Sequence, residues 1–151
     1  LFFAALIPIG TAVEELGLAK DIGRVIIEGG SYLFNSIGDK WEIDINIIYL
    51  ALLYLVTFIL SSFISNAAVA VFLTPVAIYL SSSLNVDVKP LLMAVCFGAS
   101  ASFMTPMGYQ TNMMVYGPGK YKFKDFVYCG LPLTLIFWVV AIYYIPRFWP
   151  F

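Results

Sequence analysis

Two long stretches of the sequence carry no Asp, Glu, Lys or Arg: Ile45–Val86 and Leu91–Gly119. A third uncharged run, Phe126–Ile145, follows near the C-terminus. A membrane-spanning helix needs about 20 apolar residues. Residues 45–86 therefore predict two helical arms, residues 90–119 one helix with some length to spare, and residues 126–146 a last span. Charged residues gather between these runs, in Asn35–Asp44, Asp87–Lys89 and Pro118–Asp125. Trp41 is expected to anchor the first of these connectors at a membrane surface.

The N-terminal residues 1–34 follow a different pattern. Leu1–Val13 is apolar but too short to span alone, so it reads as the end of a transmembrane helix, with Glu14 and Glu15 at the interface. From Gly17 to Phe34, Lys20, Arg24 and Glu28 recur every four residues and share one helical face, with Asp21 beside them. Leu18, Ile22, Val25 and Ile26 fall opposite. This fits a short helix lying in the interface or a loop helix packed on other protein. Gly23 is expected to weaken it and Gly29-Gly30 to end it.

Each of the first two uncharged runs is interrupted by a cluster of polar residues. The first is Ser61-Ser62-Phe63-Ile64-Ser65-Asn66-Ala67, midway along Ile45–Val86. Two arrangements fit: two full spans joined by a tight turn, or a re-entrant hairpin whose tip, near residues 65–66, stops inside the bilayer. The tip has no Lys, Arg, Asp, Glu or Gly, and small residues flank it, which favours the hairpin. The second cluster is Thr105-Pro106-Met107-Gly108-Tyr109-Gln110-Thr111-Asn112. Pro106 lacks an N–H and clashes with the preceding turn, and Gly108 adds backbone freedom. A helix broken near 106–111 is the expectation. Gly98 to Ser102, all small, suit close helix packing.

Composition sharpens this reading. The chain has 151 residues, of which 62% are hydrophobic and 11% charged, far from the roughly 25% charged of soluble domains. It reads as an all-α membrane protein surrounded by lipid. No basic stripe exists for nucleic acid. The absence of His removes the commonest general base and metal ligand. Cys96 and Cys129 read as buried packing residues. Lys120, Lys122 and Lys124 place the loop 118–125 in the cytoplasm by the positive-inside rule, which puts the C-terminus outside. A start at Leu1 within an apolar run points to a fragment.

The two clusters suggest chemistry. A helix that starts inside the bilayer presents free N–H groups and a positive dipole end, which suit an anion. A helix that ends there presents carbonyls, which suit a cation. Paired discontinuous helices of this kind form substrate and ion sites in many secondary transporters. Plainer readings stand beside this one: Ser65-Asn66 as the N-cap of an ordinary helix, and the second cluster as a Pro-kinked helix.

Ser65-Asn66-Ala67, followed by an apolar arm with Pro75, resembles the hairpin tip of the divalent-anion:sodium symporter (DASS) family, solute carrier family 13. The run Ser102–Asn112, then Val115-Tyr116-Gly117, resembles that family's second loop. Ile9-Gly10-Thr11 and Leu16-Gly17-Leu18-Ala19 resemble the helices that precede the hairpin. Only the second of the family's two inverted repeats is matched, which implies a missing N-terminal repeat. The resemblance implies one half of an inverted-repeat elevator transporter, with a re-entrant helical hairpin and a broken transmembrane helix. It implies a homodimeric symporter, not an enzyme, using sodium as coupling ion and no organic cofactor. Ser65, Asn66, Ala67, Thr111 and Asn112 would face a small divalent anion. Ser61, Ile64 and Asn66, with backbone oxygens of Pro106, Met107 and Gly108, would form one sodium site.

Two departures bear on the cargo. Ala67 stands where the family often has Thr. Tyr109-Gln110-Thr111 replaces the Thr-Pro-Pro of dicarboxylate carriers and resembles a branch linked to sulfate, so sulfate-like anions are favoured and dicarboxylates come next. The rival readings are an anion channel or proton-coupled permease, a membrane enzyme, and a membrane subunit with no ligand site.

Overall fold

The computed structural model describes residues 8, 10–13, 15–38 and 44–151. The expectations for Leu1–Ile7, Ile9, Glu14 and the connector around Trp41 lie outside these residues. Among the described residues every regular element is helical. The order is α1 (Leu18–Leu33), a π-turn (Phe34–Gly38), α2 (Ile45–Ser61), α3 (Asn66–Leu84), α4 (Val88–Ser100), α5 (Gln110–Tyr116) and α6 (Phe123–Phe148). Two of these, α3 and α6, are long and apolar enough to cross a membrane.

Local sequence explains the helix ends. Asp44, in extended geometry, precedes α2, which then runs without a charged residue to Ser61. There the Ser62 hydroxyl donates back to Phe58 O at 3.0 Å, a side-chain bond that competes with continued helix. Ser65 is extended (φ −61°, ψ 141°) and α3 begins at Asn66. Asn85 adopts a left-handed conformation (φ 54°, ψ 44°) that stops α3. Asp87 then caps α4 by accepting from Lys89 N at 3.0 Å.

The core lies where α2, α3 and α4 meet. Leu50, Leu53 and Tyr54 of α2, Leu73, Val76 and Leu80 of α3, and Leu91 and Ala94 of α4 are buried. Gly98 allows α4 to approach α2: a Cβ there would stand 3.0 Å from Thr57 Cβ and 3.1 Å from the Tyr54 carbonyl oxygen. Close approach through small residues is how helices gain van der Waals contact in lipid, where burial itself is weakly rewarded. The last helix, α6, packs on α2 and α4. Trp138 Nε1 donates to Ala51 O at 3.1 Å, while most of the outer side of α6 is exposed apolar surface.

Several expectations need correction. In α1 the buried residues are Ala19, Gly23, Ile26 and Gly30, whereas Leu18 and Val25 are exposed. Gly23 sits where a Cβ would collide with the Tyr79 ring, and Gly30 where one would collide with the Tyr49 ring. These glycines are seats for aromatic rings rather than weak points, and α1 continues through Gly29-Gly30 to Leu33. Cys96 and Cys129 are exposed, not buried. Cys96 lies on the side of α4 turned away from α2 and α3, next to exposed Phe97, and Cys129 lies on the largely uncovered α6.

The second interruption is wider than 106–111. Helix α4 ends at Ser100 and α5 starts at Gln110, leaving residues 101–109 non-helical. Pro106 removes a backbone donor within this segment and so works against continued helix, although α3 runs through Pro75 and α6 through Pro132 and Pro146.

Candidate functional site

The two interruptions meet. The turn after α2, the start of α3, the end of α4 and the irregular segment 101–109 converge on the side chain of Asn66. The inward atom of its amide stands 2.8 Å from Ser61 Oγ, 3.0 Å from Ala99 O, 3.1 Å from Ser102 Oγ and 3.2 Å from Gly108 O. Ser61 Oγ also donates to Ala99 O at 2.5 Å, and Ser102 Oγ to Gly108 O at 3.3 Å.

Which end of the amide faces inward is fixed by hydrogen-bond logic. With the NH2 inward, Asn66 can donate to the Ala99 and Gly108 carbonyls. With Oδ1 inward, five neutral oxygens face one another: one amide oxygen, two hydroxyls and two carbonyls. Such a set has no hydrogen to share between amide and carbonyls, and it has the donor chemistry of an alkali-cation site built from broken helices. Ala99 lies in the last turn of α4 and Ser61 is the last residue of α2, so two negative helix ends point here. No His, Cys, Asp or Glu cluster able to hold a metal occurs among the described residues.

A second layer of bonds holds the two interruptions together. The buried Thr105 hydroxyl donates to the Ser62 carbonyl and accepts from Gly108 N at 3.1 Å. Asn112 Nδ2 donates to Thr105 O at 3.3 Å and approaches Ser102 O at 3.5 Å. Gly108 is required by space: a Cβ there would stand 2.7 Å from the Ser61 carbonyl oxygen. Among the described residues no buried side-chain nitrogen or oxygen lacks a partner.

On the outer side, Ser65 is exposed, while Asn66 and Ala67 are half-buried in the first turn of α3. Ser65 does occupy the N-cap position of α3, as in the plain reading, but its side chain makes no capping hydrogen bond. Thr111 is exposed on α5, whereas Asn112 spends its amide on the loop backbone.

Of the residues the sequence singles out for sodium, Ser61, Asn66 and Gly108 are in the oxygen cluster. Pro106 is buried in the same segment, and Ile64 and Met107 are 47% and 64% exposed. Sequence reasoning missed Ala99, Ser102 and Thr105. Ser102 and Thr105 were visible as hydroxyls flanking the proline, but Ala99 contributes only a carbonyl and left no side-chain signal.

Comparison with known proteins gives a consistent picture. Residues 43–151 match the family model described as citrate transporter. An uncharacterised transporter of Synechocystis is 40% identical over 133 residues, covering 88% of this chain and 20% of that protein. A probable sodium/sulfate cotransporter of Chlamydomonas reinhardtii is 32% identical over 141 residues, covering 93% of this chain and 15% of that protein. A sodium-dependent dicarboxylate transporter of Staphylococcus saprophyticus is 28% identical over 144 residues, covering 94% of this chain and 25% of that protein. The chain thus spans a quarter or less of each of these relatives.

Proposed function

Since the chain belongs to the citrate transporter family, related to the divalent-anion:sodium symporters, we propose that it is the C-terminal repeat of a sodium-coupled anion transporter. It is a membrane protein of a transporter family. The observation that carries the proposal is the convergence of four oxygens, those of Ser61, Ala99, Ser102 and Gly108, on the side-chain amide of Asn66.

Sodium would be held by Ser61 Oγ, Asn66 Oδ1, Ser102 Oγ and the Ala99 and Gly108 carbonyls. Without the ion, the Asn66 amide turned NH2-inward satisfies the same carbonyls. The anion lies on the other side of Asn66, against Ser65, Ala67 and the uncapped N–H groups that open α3, with Thr111 facing it from α5. Asn112 acts by shaping the loop. Neither uncharged run supplies a formal charge, so sodium and the α3 dipole must balance the cargo.

Helix lengths support a site within the bilayer. Helix α2 has 17 residues, about 26 Å at about 1.5 Å per residue, and α4 has 13, about 20 Å. Both fall short of a hydrocarbon core about 30 Å thick. The shortness of α2 and α4 supports reading α2–α3 as a re-entrant hairpin and α4–α5 as a broken helix, which would move with their cargo in elevator fashion within a homodimer. The cargo is a sulfate-like dianion, with dicarboxylates the second class. The names of the Chlamydomonas and Staphylococcus relatives support these two classes.

The test is uptake of radiolabelled sulfate and of succinate by the full-length transporter in proteoliposomes, with Na⁺ or with choline outside. Uptake should need Na⁺, and Ser61→Ala should raise the half-saturating Na⁺ concentration about tenfold or more, the loss of one hydrogen-bonding ligand worth about 1.4 kcal/mol. Equal uptake in choline would mean a channel or a proton-coupled carrier.

A further inference from the structure

We propose that Thr105 is a positioning residue that sets sodium affinity by latching the 101–109 segment to the turn after α2. This rests on the sodium reading above and deepens it. Thr105 touches none of the five oxygens with its side chain. Its hydroxyl has one hydrogen, given to the Ser62 carbonyl, and it accepts the Gly108 N–H at 3.1 Å. Those two partners are adjacent to, or part of, the residues that supply the cluster. Ser62 follows Ser61 in the chain, and the Gly108 peptide presents its N–H to Thr105 while its carbonyl faces Asn66.

One buried hydroxyl, 2% exposed, thus fixes the spacing of ligands drawn from two segments more than 40 residues apart. The other polar bonds between these parts, Ser61 to Ala99, Asn66 to Ser102 and Asn66 to the Ala99 and Gly108 carbonyls, are all made by the proposed ligands themselves. When sodium displaces the hydrogen bonds within the cluster, the Thr105 bonds remain. They hold the Gly108 carbonyl near Ser61 before the ion arrives, so the ion does not bear the cost of ordering the loop. The methyl group of Thr105 has no part in this, which separates the role from packing.

The experiment measures the half-saturating Na⁺ concentration for anion uptake by the full-length transporter carrying Thr105→Val, Thr105→Ser or Thr105→Cys. Valine keeps the shape and removes both bonds, and it should raise the Na⁺ requirement at least tenfold. Anion affinity at saturating Na⁺ should stay within about twofold. Serine should restore the wild-type value. If the valine variant does not reach the membrane, cysteine, a weak donor, should give a three- to tenfold shift. A wild-type Na⁺ requirement in the valine variant, or in the cysteine variant if valine fails, overturns the inference, as does serine behaving like valine. Sodium-independent uptake by the wild type would instead remove the reading on which the inference rests.

Discussion

Adding a single methyl group at Gly108 offers the sharpest test of the site's geometry. The Cβ of Gly108→Ala would lie 2.7 Å from the Ser61 carbonyl oxygen, 3.0 Å from Ser102 Cβ and 3.2 Å from Thr105 Oγ1. The nearest obstacle is backbone at the end of α2 and cannot rotate away. Relief needs a shift of about half an ångström, taking comfortable carbon–oxygen contact as beginning near 3.3 Å. Overpacking of this kind costs about 1–3 kcal/mol. The shift moves the Gly108 carbonyl, a proposed ligand, away from Ser61 and Asn66, so much of the penalty falls on ion binding. A loss of 1–3 kcal/mol corresponds to about 5- to 150-fold in affinity. The assay is Na⁺-dependent sulfate uptake by the full-length transporter, with membrane abundance measured in parallel. The half-saturating Na⁺ concentration should rise at least about fivefold while abundance stays within about twofold. An unchanged Na⁺ requirement in a well-expressed variant would refute the close approach of these two segments.

Two further predictions concern the scaffold. Gly23→Ala should lower the unfolding temperature in detergent, because its Cβ would collide with the Tyr79 ring. Tyr79→Ala in the same chain should recover part of the loss, and simple additivity of the two would argue against the contact. Lys122→Cys, in the loop before α6, should react with a membrane-impermeant maleimide only after the inner face is exposed; labelling of intact cells would reverse the proposed topology.

The polar interruptions were legible because hydroxyls and amides stand out in runs without charge. Ser61 and Asn66 could be picked out that way, and Gly108 by the backbone freedom it adds beside Pro106. Ala99 could not, since its contribution is a carbonyl freed when α4 stops at Ser100. The glycines of α1 were misread for a related reason. Gly23 and Gly30 look like helix weaknesses until the rings of Tyr79 and Tyr49, 56 and 19 residues away, are seen to fill the space above them. The exposure of Cys96 and Cys129 was hidden because α4 and α6 are apolar on every side. Hydrophobicity separates inside from outside in water, but it carries no such information when the surroundings are lipid.

A candidate site made only of neutral groups has an electrical consequence. On the proposed reading, the two interruptions bring no Asp, Glu, Lys or Arg through the membrane field, so voltage would act on the site mainly through the ions bound there. Each unit of charge is worth about 2.3 kcal/mol per 100 mV, and with cations in excess of the anion's two negative charges an inside-negative membrane would pull the loaded carrier inward.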